Sequence, residues 1–238
     1  MGSYEVPHDL FSLYRDIDHA LRTVDRFRLP GHLESRLESY VEYKLQAGIL
    51  SLVPTEVFYR ARLFSFGQTA IHPDAELGAP PAANARSGRL NPEGLPLLYV
   101  ADSVTTAISE TRPWVGAKLS VAKFRPKLPL RVVSLSIGID GLHLPEPGGE
   151  GHSGFLAALA MDLNHISHPA HPDDRLSYLP TQYIAAKFRA HHVDGLAYVS
   201  ALRAGGWNYA LFQPEACELV SAEVFEVKSV EVEARRAA

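Results

Sequence analysis

An α+β fold is what this chain predicts, with two helices leading and strands and helices following in irregular order. Three observations carry that expectation. Apolar residues first recur at helical spacing, they alternate in short runs after Pro54, and the order of elements lacks the regular alternation of a doubly wound sheet. An apolar fraction of 46% over 238 residues supplies a packed core, which excludes disorder as the dominant state.

The helical preface is read first. From Asp9 to Phe27, apolar residues stand at Leu10, Leu13, Tyr14, Ile17, Leu21 and Val24, one stripe on a helix. Arg28–Gly31 breaks it, and a second helix over about 32–47 places Leu33, Leu37, Tyr40, Val41 and Leu45 on one face, with Gly48 ending it. Two such helices cannot bury both stripes against each other, so they are expected to dock on the body or on a partner. The division predicted is a helical extension over 1–54 and a body over 55–238.

In the body, Val57–Phe64 alternates as a strand, with Phe58, Arg60, Arg62 and Phe64 on one face. Residues 65–96 are rich in Gly, Pro, Ala and Asn and predict a long loop, a feature that is usually functional. A strand over 97–101 leads into a short helix capped by Asp102 or Ser103 and stopped before Pro113. Strands are then expected at 117–124 and 130–135, a Gly/Pro loop over 138–152 and a helix over 153–166. A helix over 179–192 and strands at 195–200, 209–212 and 217–232 complete the chain.

Charge narrows the partners. The whole chain has 23 basic and 27 acidic residues, a formal charge of −4. Residues 1–55 hold six basic and eight acidic side chains, whereas residues 58–127 hold nine basic and five acidic. The basic window contains Arg60, Arg62, Arg86, Arg89 and Arg112. Guanidinium forks suit phosphate, and the modest excess favours a small anion over a nucleic-acid duplex. No apolar run approaches about 18 residues, so no membrane span is expected. The N-terminus lacks the basic and apolar regions of a secretory signal, and the lone Cys217 excludes an internal disulfide, so a cytoplasmic protein is expected.

The densest chemistry lies in Arg86-Ser87-Gly88-Arg89-Leu90-Asn91-Pro92-Glu93-Gly94, a loop with small residues beside each arginine. Glu110 follows on the short helix between Ala107 and Pro113, where a carboxylate is partly desolvated. Taken alone, Glu110 reads as an ion-pair residue for Arg112, Arg60 and Arg62 as a solvated strand face, Tyr99 as core, and Ser200 as a turn residue. Arg89 reads as an exposed loop residue that adds little to the core.

The order of motifs goes further. F-Y-R-A-R (Phe58–Arg62), S-G-R-L-N-P-x-G (Ser87–Gly94), L-Y-V-A (Leu98–Ala101) and T-A-x-x-E (Thr106–Glu110) follow one another. Then come L-P-T-Q-Y-I-A, D-G-L-A-Y-x-S and G-G-x-N-Y-A-L-F, at residues 179–185, 194–200 and 205–212. Together, over roughly Thr55 to Leu219, they resemble the RES domain, carried by the toxins of RES–Xre toxin–antitoxin pairs. The resemblance implies an ADP-ribosyltransferase-like mixed β core and an enzyme that degrades NAD⁺ by phosphorolysis or hydrolysis of the nicotinamide–ribose bond. It implies Arg89, Glu110 and Ser200 as catalytic residues, and Arg60, Tyr59, Tyr99 and Asn91 as substrate-binding ones. NAD⁺ would be substrate, inorganic phosphate a co-substrate, no cofactor or metal would be needed, and an Xre-type antitoxin would be the partner. The rivals are an ADP-ribosyltransferase acting on a macromolecule and an inactive RES-fold binding module. The extra helices also admit a homodimer.

Two other constellations are weaker. Asp162, His165, His168 and His171 suggest metal ligands, but Pro169 and Pro172 break any helix that would align them, so a solvated polar loop is expected. No G-x-S-x-G elbow accompanies the Ser, His and Asp inventory.

Overall fold

The computed structural model describes residues 13–135 and 176–231. Its helices are α1 (Leu13–Thr23), α2 (Gly31–Ala47), α3 (Asp74–Leu77), α4 (Val104–Glu110) and α5 (Leu179–Ala190). Its strands are β1 (Ile49–Leu52), β2 (Phe58–Leu63), β3 (Leu98–Ala101), β4 (Lys118–Pro126), β5 (Leu130–Ser134), β6 (Gly195–Val199), β7 (Trp207–Leu211) and β8 (Cys217–Glu226). The α+β expectation holds. The loop expected at 138–152, the helix expected at 153–166 and the histidine cluster at 162–171 lie outside the described residues.

Among the described residues the eight strands form one sheet in the order β1-β5-β6-β7-β3-β2-β4-β8. β5 and β6 run parallel, with Val132 opposite Gly195, and every other neighbouring pair is antiparallel. Alternation along each strand sends side chains to two separate cores. Val133, Leu196, Tyr198, Ala210 and Phe212 face one of them, beneath α1, α2 and α5. Leu98, Val100, Val132, Ala197 and Leu211 face the other, with Phe58, Phe124 and Leu77.

The apolar stripe of α1 buries Leu13, Ile17, Ala20 and Leu21, and α2 buries Leu33, Leu37, Tyr40 and Val41. Both join α5 in the first core, so the preface docks on the body. Glu34 of α2 accepts a hydrogen bond from the Tyr183 hydroxyl at 2.9 Å and pairs with Lys187, while Glu38 meets His191 at 2.9 Å. The helices are therefore clasped along one polar edge as well as through their apolar faces.

The periodicity assigns no element to residues 49–52, yet they form β1, paired with β5 from Ile49↔Val133 to Leu52↔Leu130. Gly48 permits the tight passage out of α2, since a β-carbon there would stand 3.0 Å from the Lys44 carbonyl and 3.3 Å from that of Ser134. The expected loop at 65–96 also has internal structure. It contains α3 and a 3-10 turn at Ala82–Asn84, and Leu77 plugs into the second core at 1% exposure. A single turn of helix is too short to show a period, which is why the sequence conceals it.

One junction in the sheet differs from the rest. β2 and β4 share six register pairs, whereas β2 and β3 share only Tyr59↔Ala101. The two halves of the sheet part there, leaving backbone carbonyls and space beside β2. Among the described residues no helix is long and apolar enough to cross a membrane.

Lys44, in the last turn of α2, is almost fully buried, and burial lowers its ammonium from 10.5 to about 8. Between those values the unfolded chain keeps the proton that the native chain has released, so stability rises with pH across that window. Cys217, its thiol pushed up to about 11 by burial, acts oppositely above its ordinary value. Chemical denaturation at pH 7 and pH 9 should therefore show wild type gaining about 1 kcal/mol relative to Lys44→Met over that interval. Parallel pH profiles for the two proteins would contradict the assignment.

Candidate active site

The parting of β2 from β3 opens into a cleft of about 630 Å³. Tyr59 and Arg60 of β2, Gly88 and Arg89 of the loop, Tyr99 of β3 and Glu110 of α4 all line it. Residues spread over 52 positions of sequence thus converge on one cavity.

Glu110 sits on the last turn of a helix whose start is capped by Ser103, the side chain accepting from the Thr106 amide at 3.1 Å. Its Oε1 accepts hydrogen bonds from Ser200 Oγ and from Asn208 Nδ2, both at 2.7 Å. Its Oε2 stands 3.9 Å from Arg89 Nη2. The carboxylate is 24% exposed and the arginine 13%. Two hydrogen-bond donors and one neighbouring guanidinium hold this carboxylate, which lines the cleft.

Arg89 corrects the sequence reading, which places it on an exposed loop. The side chain is largely buried, its guanidinium carbon 6.0 Å from the centre of the Tyr198 ring. Burial alone pulls its pKa down, but Tyr198 and Glu110 reverse the effect and hold it above its usual value. The pairing of Glu110 also runs to Arg89, not to Arg112 as the bare sequence suggests.

The loop that presents Arg89 is closed by its own polar groups. Gly88 N donates to the Asn91 carbonyl at 2.9 Å, and Asn91 Nδ2 donates to the Arg86 and Pro92 carbonyls, each at 3.0 Å. The Tyr99 hydroxyl donates to Asn91 Oδ1 at 2.8 Å and accepts from the Leu90 amide at 3.1 Å. From outside, α5 grips the same loop. Gln182 Nε2 donates to Ser87 Oγ and to the carbonyls of Gly88 and Asn91 within 2.8–2.9 Å, and the Thr181 hydroxyl donates to the Arg89 carbonyl. Most of these contacts fix backbone, so the guanidinium is positioned rather than merely tethered.

Arg60 occupies the gap between β2 and β3, donating from Nη1 to the Tyr99 carbonyl at 3.2 Å. Burial, aided by Arg62, holds its pKa below the usual value. Arg60 Nε and Arg89 Nη1 are both buried without a hydrogen-bond partner among the described residues. Unsatisfied buried donors on two cations are costly unless an anion completes them. Arg62 points elsewhere and pairs with Glu76 at 2.9 Å, while Arg86 is exposed and contributes its carbonyl to the loop.

Of the residues expected from the sequence, Tyr59, Arg60, Arg89, Tyr99 and Glu110 line the cleft. Asn91 and Ser200 stand one layer behind. Asn91 shapes the loop, and Ser200 Oγ accepts from the Leu202 and Arg203 amides at 3.1 and 3.0 Å while donating to Glu110. Ser200 therefore acts through the carboxylate.

Tyr178, Tyr198 and Asn208 line the cleft without having been singled out as site residues. Tyr198 and Asn208 face each other across β6 and β7, inside two motifs already noted in the sequence. The signal lay in those motifs, but Tyr198 looks like core, and burial does push its hydroxyl up to about 12. Arg112 lines the rim in the left-handed region at φ +50, a conformation that costs an L-residue about 1–2 kcal/mol.

The RES domain family model matches residues 57–231, well over half the chain, and the protein belongs to the RES domain family. Among solved structures, the crystal structure of the M. tuberculosis MbcT–MbcA toxin–antitoxin complex contains a similar chain. The two are 18% identical with a TM-score of 0.48, covering 80% of this chain and 92% of that one. No curated protein sequence matches the chain.

Gly88 tests the loop closure directly. A β-carbon at that position would fall 2.4 Å from Asn91 Oδ1 and 3.1 Å from the Tyr99 hydroxyl. Gly88→Ala should break the Tyr99–Asn91 bond and lower stability by about 1–3 kcal/mol, as read by chemical denaturation. A variant as stable as wild type would show that the loop is not locked by this bond.

Proposed function

We propose that this RES-domain protein breaks the nicotinamide–ribose bond of NAD⁺, acting in the cytoplasm as a growth-arresting toxin or defence effector. One observation carries the reading. An oriented carboxylate, Glu110, shares a cleft with two buried guanidinium groups that retain unpartnered donors. Membership of the RES family supports the same chemistry.

Cleavage of the bond moves its electron pair onto the pyridinium nitrogen, so nicotinamide departs neutral and no general acid is required. Positive charge develops on the ribose ring instead, as in glycoside hydrolysis. A fixed carboxylate stabilises that charge without reorganising, the kind of electrostatic effect that is worth most in a partly dry site. Ser200, Asn208 and Arg89 supply the fixing. Arg89 is the cation beside the reacting sugar, and it can present inorganic phosphate, whose oxygen forms the new bond to the anomeric carbon. Water in that role gives free ADP-ribose and releases one proton.

Arg60 and Arg89 bind the pyrophosphate in this scheme, and the Tyr59 and Tyr99 rings flank the bound dinucleotide. Inorganic phosphate is the co-substrate, and no resident cofactor takes part. An antitoxin of the Xre type would restrain the activity in the cell.

Purified protein incubated with NAD⁺ and phosphate should yield nicotinamide and ADP-ribose-1″-phosphate, or ADP-ribose if water attacks. Label transferred to a macromolecule would favour ADP-ribosyl transfer instead. Glu110→Gln should lower kcat by about 100-fold or more while retaining the fold, since removing one transition-state stabiliser costs on that order. If wild type and Glu110→Gln leave NAD⁺ equally intact with and without phosphate, the enzymatic reading fails and a binding role replaces it.

Arg89→Ala should lose a comparable factor in kcat/KM. It should also lose measurable stability, because the buried side chain sits beside Glu110 and Tyr198. Circular dichroism and thermal melting alongside the NAD⁺ assay separate the two effects.

A further inference from the structure

The end of α4 holds a residue that helix termination does not explain. α4 stops at Glu110 with Thr111 as its C-cap, and the next residue, Arg112, turns the chain through φ +50. Its amide donates to the Ser109 carbonyl at 2.9 Å, the hydrogen bond of a terminating turn. Glycine is the residue favoured at that position because it has no β-carbon to strain the left-handed conformation, and asparagine is the usual second choice. Arginine has neither advantage, and Pro113 behind it restricts the backbone further. Strain retained on a cavity wall points to a side chain used there.

The position of the side chain fits. Arg112 is exposed, yet it lines the cleft two residues beyond Glu110. The other arginines nearby are engaged. Arg60 donates to the Tyr99 carbonyl, Arg89 faces Glu110, and Arg62 pairs with Glu76. Among the described residues the Arg112 guanidinium has no hydrogen-bond or ion-pair partner. Being solvated, it meets an incoming anion at little desolvation cost, unlike the two buried cations.

We infer that Arg112 is a specificity-determining residue. Its guanidinium joins Arg60 and Arg89 on the substrate's pyrophosphate, taking the phosphoryl oxygens that face the open end of the cleft, and so favours pyrophosphate-bearing dinucleotides over uncharged ribosides. The inference rests on the proposed reading that the cleft binds NAD⁺, and it divides the labour among three arginines. Arg60 and Arg89 hold the pyrophosphate from the buried side near the carboxylate, and Arg112 holds it from the entrance.

Arg112→Gly separates the two properties, because it removes the cation and relieves the backbone together. Its melting temperature should rise by about 2–4 °C. The KM for NAD⁺ should rise about tenfold with kcat within about twofold, the pattern of lost binding shared by ground and transition states. The Kd for ADP, measured by calorimetry, should weaken by a similar factor. Arg112→Lys should recover part of both, and Arg112→Gln should reproduce the binding loss without the thermal gain.

Unchanged KM and unchanged ADP affinity in Arg112→Gly and Arg112→Gln would overturn the inference, and so would a wild type that binds no ADP. The ADP measurement also keeps the two readings apart. If wild type binds ADP and leaves NAD⁺ intact, the cleavage reading falls. A tenfold loss of ADP affinity in the variants would still establish Arg112 as the entrance cation.

Discussion

Glu110 accepts hydrogen bonds from Ser200 and Asn208, partners 90 and 98 residues away in sequence, and the rest of the cleft is arranged around that oriented carboxylate. A carboxylate near the end of a short helix would otherwise sample several rotamers and carry its water with it. Here two neutral donors and one guanidinium restrict it. The donors in turn depend on strand register. Asn208 of β7 lies between Tyr198 of β6 and Ala101 of β3, so three strands must pair correctly for its amide to reach α4. Because side chains alternate along a strand, a slip of one residue would turn Asn208 and Tyr198 to the opposite face.

The cleft itself comes from an incomplete sheet. β2 has a long ladder with β4 on one side and a single register pair with β3 on the other. A carbonyl of β3 left without its ladder partner is taken by the Arg60 guanidinium. The same side chain that satisfies the parted strands also brings positive charge to the cavity. One buried arginine thus both satisfies the parted strand and lines the cleft.

A second line of support runs through α5. Its first turn grips the Arg89 loop through Thr181 and Gln182, and its other face is clasped by α2 through Tyr183, Lys187 and His191. The helical preface, which begins outside the family match, is therefore mechanically continuous with the loop that presents the principal arginine. One rigid helix carries the connection, with apolar packing on one side and polar contacts at its start.

Much of this was legible from local pattern. The stripes of α1 and α2, the alternation of β2 and the cap at Ser103 follow from side-chain chemistry within short windows, whereas Arg60, Arg89, Tyr99 and Glu110 stood out as site residues only through the resemblance of their ordered motifs to the RES domain. Elements of four residues, such as β1 and α3, fall below the length at which a period can be recognised. What only tertiary structure decided is how the pieces meet. Arg89 is buried because α5 and the Tyr198 ring close over a loop that composition marks as exposed. Ser200 serves the carboxylate because the turn after β6 delivers its hydroxyl there. Sequence by itself determined which groups carry charge and which segments are regular, since both are local properties. Their convergence was decided by strand register and helix docking, which depend on contacts between residues far apart in the chain.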